Sequence, residues 1–189
     1  MGNRPELQEP DFRMGREAFR AWVEQQPRGR YERINGVVVA MAPERSGHNL
    51  CKAAAREELR RAVREAGLPC QVWTDGMTIE VGDSDFEPDA VMRCGIPNLP
   101  RDTMVVPDPL LIVEVLSPST SGIDRSMKLR EYFLLPSLHH YLIVWPDIPR
   151  IVRHSRTASG NIETTLFTTG HMPLDPPGVI VSVAAFYEE

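Results

Sequence analysis

Residues 109–145, PLLIVEVLSPSTSGIDRSMKLREYFLLPSLHHYLIVW, decide the fold. The apolar run 109–116 has strand length and no polar alternation apart from Glu114, which predicts a central strand covered on both faces. Asp124 stands where it would cap a helix over 125–135, Pro136 stops that helix, and 140–145 is strand-like again. Strand, helix, strand in this order predicts a right-handed crossover between parallel strands. Upstream, Met77, Ile79 and Val81 alternate with Thr78 and Glu80 as a half-buried strand, and 88–92 (PDAVM) forms another short one. The longest helix is expected over 46–66, with Leu50, Ala54, Leu59, Ala62 and Val63 as its apolar stripe and Gly67 just past its end. Before it, 30–42 reads as a hairpin around Asn35-Gly36, two residues that accept positive φ. Residues 11–26 carry Phe12, Phe19, Trp22 and Val23 at helical spacing. Downstream, 151–183 divides into short strands at Ser-Gly, Thr-Gly and Pro-Pro-Gly breakers. The class expected is mixed α/β: a central mixed sheet flanked by helices over 46–146, an added N-terminal helix and hairpin over 11–42, and C-terminal strands over 150–186. A chain of 189 residues suits one domain, 1–189, around one core.

Composition narrows the function. With 21 basic against 26 acidic residues the net charge is -5, so no overall positive field holds the chain on DNA or anionic lipid, and any nucleic-acid contact must be local. The stretch 132–146 lacks charge but holds Pro136, His139 and His140 and is too short to span a bilayer, so no membrane partner is expected. The N-terminus has no apolar segment of the export type. Cys51, Cys70 and Cys94 are odd in number with no CxxC spacing, which predicts neither a disulfide framework nor a four-cysteine zinc site, and a reducing cytoplasm as the compartment. Of the 21 basic residues 19 are Arg, so the two lysines, Lys52 and Lys128, stand out as compact, titratable charges.

Glu114 is the most informative position. An ionised carboxylate inside LLIVEVL is costly unless paired, bound to metal or placed at an open end of the sheet. Asp89 opens the strand some 25 residues earlier, and two carboxylates converging at neighbouring strand ends would repel unless a cation joined them; hard oxygen ligands suit Mg²⁺ or Mn²⁺. A salt bridge from Glu114 to an Arg is the structural alternative. Lys128 follows on the next helix, where an i,i+4 pair with Asp124 is the ordinary alternative to a role for its ammonium. Lys52, Arg56, Arg60 and Arg64 recur every four residues as a stripe that could track phosphates or simply face solvent, and Arg150, Arg153, His154 and Arg156 form a second basic cluster. The alternation Asp83, Asp85, Glu87, Asp89 imitates a calcium loop, but Pro88 stands at its Gly position, so a solvated turn is expected. Ser117 with His139 or His140 and Asp147 lacks the G-x-S-x-G turn of a hydrolase, and His48 with Cys51 lacks a second ligand pair for zinc.

The segments EPDAVM, LLIVEVLSPSTSGIDRSMKLREYF and HYLIVWPD, together with YERINGVVV, resemble the Uma-two family of restriction endonucleases within the PD-(D/E)XK nuclease superfamily. The likeness covers roughly 11–186, and EVLSPST followed by DRxxKLxxY is its most specific part. It implies a restriction-endonuclease-like core in which Asp89 and Glu114 hold a divalent metal, with the Val115 carbonyl as a third ligand. The superfamily Lys would stand two residues after Glu114, where this chain has Leu116; the resemblance implies that Lys128 takes that role, with Tyr132 one turn later and Glu32 and His48 as supporting residues. The function implied is a Mg²⁺- or Mn²⁺-dependent endonuclease acting on DNA, with a homodimer compatible with the class; the four-residue stripe on the long helix adds Lys52, Arg56 and Arg60 as weak nucleic-acid contacts. Two rivals are a catalytically inactive module of the same fold that binds metal or nucleic acid, and a structural protein in which Glu114 only pairs with Arg.

Overall fold

The computed structural model describes residues 13–117 and 122–188, with the side chains of 122–125 outside the description. Among these residues the elements run α1 (Arg16–Val23), β1 (Tyr31–Ile34), β2 (Val37–Ala40), α2 (Ser46–Glu65), β3 (Cys70–Thr74), β4 (Ile79–Val81), β5 (Ser84–Phe86), β6 (Ala90–Cys94), β7 (Leu111–Val115), α3 (Gly122–Tyr132), β8 (His140–Trp145), β9 (Arg150–Arg156), β10 (Ile162–Phe167), β11 (His171–Leu174) and β12 (Val179–Ser182). A six-stranded sheet in the order β10-β9-β8-β7-β6-β3 forms the centre, with β7 and β8 parallel and every other neighbouring pair antiparallel. The expected mixed central sheet and the parallel β7–β8 pair are therefore present. Asn35 and Gly36 take φ of 49° and 82° and turn β1 into β2. That hairpin is not an appendage: β1 pairs with β5, giving a second sheet β2-β1-β5-β4.

Alternation along β7 divides the core. Leu111, Val113 and Val115 pack with Ala55, Leu59, Ala62 and Val63 of α2 and with β11 and β12. Ile112 turns to the opposite face, among Ile79 and Phe86 of the second sheet, Tyr132 of α3, and Tyr141 and Ile143 of β8. Glu114 lies on this second face, in a row with Ile112, which is why one carboxylate interrupts an otherwise apolar run.

Four expectations are corrected. The buried face of α2 is His48, Cys51, Lys52, Ala55, Glu58, Leu59, Ala62 and Val63, whereas Leu50 is exposed; His48 and Lys52 share the face because its first two turns line the site described below, and Glu58 because it accepts from Arg61 and from the Ser182 N–H. Of residues 83–87 Asp83 does lie in an exposed turn, but Ser84, Asp85 and Phe86 are buried. Ser84–Phe86 is a strand, and the buried Asp85 accepts from the buried Arg33 at 2.5 Å and from Arg16 at 2.7 Å, so an ion-pair network takes the place of water. Helix α3 starts at Gly122, which puts Asp124 inside it rather than at its cap; the Asp124 side chain and its pairing with Lys128 lie outside the described residues, as does Phe12. Finally, Cys70 and Cys94 form a disulfide, because β3 and β6 place them opposite one another, a pairing that spacing of 24 residues does not disclose; Cys51 is free and buried.

His140 supplies a test of the core. It is buried, with Nδ1 3.0 Å from the Ser155 hydroxyl and Nε2 2.8 Å from the Pro176 carbonyl. Burial lowers its pKa from 6.5 to about 4, with Arg153 and His139 adding to the fall and the Pro176 carbonyl opposing it. The unfolded chain therefore takes up this proton first as pH drops, so stability is lost from about pH 6.5 down to pH 4, by roughly 3 kcal/mol in total. Denaturant midpoints across that range should fall less steeply in His140→Gln. Equal slopes in both proteins would show that His140 does not carry the transition.

Candidate metal centre

The register of β6 on β7 runs Met92↔Leu111, Val91↔Ile112, Ala90↔Val113. One step further sets Asp89, just before β6, beside Glu114 at the same end of the sheet. The Asp89 Oδ2 accepts from the Val115 N–H at 2.7 Å, which locks the two strand ends together. Asp89 is almost wholly buried; the Glu114 side chain keeps 16% of its surface exposed. Both line a cavity of about 270 Å³ with Glu32, Glu44, His48, Val115 and Lys128, so this end of the sheet opens to solvent through a cleft rather than lying sealed.

Helix α3 crosses this end and delivers two donors to one carboxylate oxygen. Lys128 Nζ lies 3.1 Å and the Tyr132 hydroxyl 2.8 Å from Glu114 Oε1. Lys128 also donates to Glu32 Oε1 at 2.9 Å, and the same oxygen accepts from the Glu87 N–H at 3.0 Å. Glu32, from the middle of β1, thus anchors the ammonium from the second sheet. Burial pushes the Glu114 carboxyl up to about 7; Lys128 pulls it down, while Asp89 and Glu32 add to the rise. For Lys128, burial works against the charged form but the carboxylates of Glu114 and Glu32 outweigh it and hold the pKa above the ordinary value. Among the described residues Glu114 is therefore satisfied by Lys128 and Tyr132, and not by an Arg.

His48, in the first turn of α2, comes from the other side. Its Nε2 lies 2.9 Å from the Val115 carbonyl and 3.4 Å from Asp89 Oδ2. A carbonyl only accepts, so Nε2 carries a proton. The ring thereby steadies both Asp89 and Val115.

A model of the Uma2 family, described as "Putative restriction endonuclease", matches residues 16–184. The chain belongs to the Uma2 family. Two relatives from Synechocystis sp., named as uncharacterized proteins slr1290 and sll1609, are 32% identical over 146 residues (71% of this chain, 70% of the relative) and 28% identical over 122 residues (64% and 69%). The fold is similar to the crystal structure of "a putative nuclease belonging to DUF820" from Anabaena variabilis, with a TM-score of 0.71 at 14% identity over 88% of this chain and 94% of that one. At that identity the likeness concerns the fold. Fold class and family thus agree with the sequence reading: a mixed α/β, nuclease-like Uma2 chain. Among the described residues no helix is long and apolar enough to cross a membrane.

Of the residues singled out in the sequence, this Uma2 structure gathers Asp89, Glu114, Val115, Lys128, Tyr132, Glu32 and His48 at one cleft. It divides the stripe on α2. Lys52 is turned inward, with 3% of its side chain exposed, Arg56 is half-buried, and only Arg60 and Arg64 are exposed. The second basic cluster is engaged locally: Arg156 donates to the carbonyls of Phe133, Leu135 and Leu138, Arg153 bonds the Pro173 carbonyl, and Arg150 lies over the Trp145 ring.

Sequence reasoning missed Glu44, Asp75 and Arg30, and placed Glu87 in a solvated turn. Lys52 Nζ lies 2.5 Å from Glu44 Oε2, 2.8 Å from Asp75 Oδ1 and 4.0 Å from Asp89 Oδ1. Arg30 joins Glu44, Asp75 and Glu87 at 2.8, 2.8 and 3.0 Å. The available signal was the rarity of lysine, which applies to Lys52 as much as to Lys128; Glu44, Asp75 and Arg30 lie in or beside turns and carry no periodicity.

Proposed function

We propose that this chain is a metal-dependent endonuclease that hydrolyses DNA phosphodiesters at Asp89, Glu114 and Lys128, with Mg²⁺ or Mn²⁺ as its cofactor. The observation that carries the reading is the convergence, at one open cleft, of two carboxylates from paired strands with an ammonium 3.1 Å from one of them. Asp89, Glu114 and the Val115 carbonyl are a hard-oxygen donor set of the kind these ions take. The fit is supported by Glu114, whose hydrogen bonds from Lys128 and Tyr132 both fall on Oε1. When bound, the ion supplies Lewis-acid polarisation of a phosphoryl oxygen and lowers the pKa of water.

The chain's own residues do the rest. Among the described residues Lys128 donates to Glu32 and Glu114, and an ammonium has three N–H donors with which to stabilise negative charge growing on a phosphoryl oxygen in the cleft. Tyr132 holds the Glu114 carboxylate in place, and His48 holds Asp89 and the Val115 carbonyl. Helix α2 begins beside the cleft, and its positive end, with Arg45, Ser46 and Gly47 lining an adjoining groove of about 600 Å³, favours a phosphate despite the net negative charge.

Supercoiled plasmid is the substrate with which to test this. Wild-type protein is expected to nick it with Mg²⁺ or Mn²⁺ and not with EDTA, and to bind DNA without cleavage in Ca²⁺. Asp89→Asn should lose the nicking and the rise in thermal midpoint that Mn²⁺ confers on the wild type. DNA binding with no cleavage of supercoiled, linear or single-stranded substrates would replace the nuclease reading with that of a binding module.

A further inference from the structure

We infer, resting on the metal-dependent reading above, that the Lys52 ammonium is a built-in occupant of a second cation position formed by Glu44, His48, Asp75 and Asp89. The site then takes one divalent ion while Lys52 is present and a second when it is removed.

Three observations lead here. The chain has two lysines among 21 basic residues, and both are buried on opposite sides of the Asp89–Glu114 pair. Lys52 faces three carboxylates, two in direct contact and Asp89 at 4.0 Å, and Asp75 reaches it from a turn in which it holds the left-handed φ of 43°. A compact ammonium gathers its acids around one point as an ion does, whereas the planar guanidinium of Arg30 spreads its three acids over two separate nitrogens. Among the described residues the buried His48 Nδ1 makes no hydrogen bond and lies 3.7 Å from Glu44 Oε2, while Nε2 is committed to the Val115 carbonyl. Ligand atoms of Glu44, His48 and Asp89 all lie within 4.8 Å of one another. That is the span of one ion's coordination sphere at ligand distances of about 2.1–2.4 Å.

Tethering explains why Lys52 holds the position: its ammonium is part of the chain, so a free ion must displace a covalently supplied competitor. Removing it leaves Glu44, Asp75 and Asp89 adjacent, with Arg30 on the outer two only, and the resulting repulsion favours a divalent ion beside His48 Nδ1.

The experiment counts bound Mn²⁺ per full-length chain from the electron paramagnetic resonance of the free ion. About one ion is expected for the wild type and about two for Lys52→Gln and Lys52→Met. Adding Glu114→Gln should take the wild type to none and Lys52→Gln to about one, which places the second ion on the Lys52 side. An unchanged count in both Lys52 variants, two ions in the wild type, or one ion surviving in wild-type protein carrying Glu114→Gln would each overturn the inference. No ion in the wild type but one in Lys52→Gln would uphold it while removing the Asp89–Glu114 reading; no ion in either would remove both. Should the Lys52 variants unfold in EDTA, recovery of the folded circular dichroism signal on adding Mn²⁺ would support the replacement of ammonium by ion, and failure to recover would overturn it.

Discussion

Glu114→Gln is expected to leave the protein folded, remove divalent-ion binding at the Asp89 side, and cut plasmid nicking by at least about 10²-fold. The amide is nearly the same shape, and its oxygen still accepts from Tyr132 and Lys128, so the packing around α3 survives. What disappears is the charge. Because burial lifts the Glu114 carboxyl to about 7 from an ordinary value near 4.5, its ionised form costs stability as pH rises through that interval. Glu114→Gln lacks this loss, so at pH 8 without metal its thermal midpoint should equal or exceed that of the wild type, while the Mn²⁺-induced rise is gone. A large fall in midpoint instead would show that the carboxylate's main work is to neutralise a buried Lys128.

The Lys128 variants carry the second large effect. Lys128→Met leaves Glu32 and Glu114 facing each other without their cation, which should cost about 3–5 kcal/mol in the absence of metal. The ammonium already lies 5.4 Å from the centre of the Phe86 ring, so a thioether meets an apolar surface there and the loss is electrostatic rather than steric. Nicking should fall by roughly 10²–10³-fold, since a donor aimed at developing charge is lost. Lys128→Arg keeps the charge and should keep the fold and Mn²⁺ binding, yet remain at least about 10-fold below wild-type nicking, because the planar fork matches two carboxylates better than one phosphoryl oxygen. Full nicking by Lys128→Arg would show that fixed positive charge suffices, and full nicking by Lys128→Met would make the residue structural.

The elements legible from the chain are those whose local chemistry and tertiary role agree. Asn35-Gly36 turns the hairpin because both residues accept positive φ, and β7 is central because it is apolar on both faces. Where the two disagree, the reading slips. The buried face of α2 begins with His48 and Lys52, so an apolar stripe drawn through Leu50 and Ala54 is rotated from the true one. Asp85 looks solvated in sequence and is buried in the structure, because its partner Arg33 comes from 52 residues away.

The sequence by itself determined the apolar run that builds β7, the break in it at Glu114, the order of strand, helix and strand, and the scarcity of lysine, since each depends on residue type and nearby spacing alone. Only the tertiary structure decided that Asp89 stands beside Glu114, that Lys128 reaches Glu114 and Glu32 together, that Cys70 meets Cys94, and that Lys52 points into three carboxylates. Those are relations of register and crossing between segments distant in the chain. A shift of one residue in the β6–β7 pairing would send the same side chains to opposite faces and leave every local pattern unchanged.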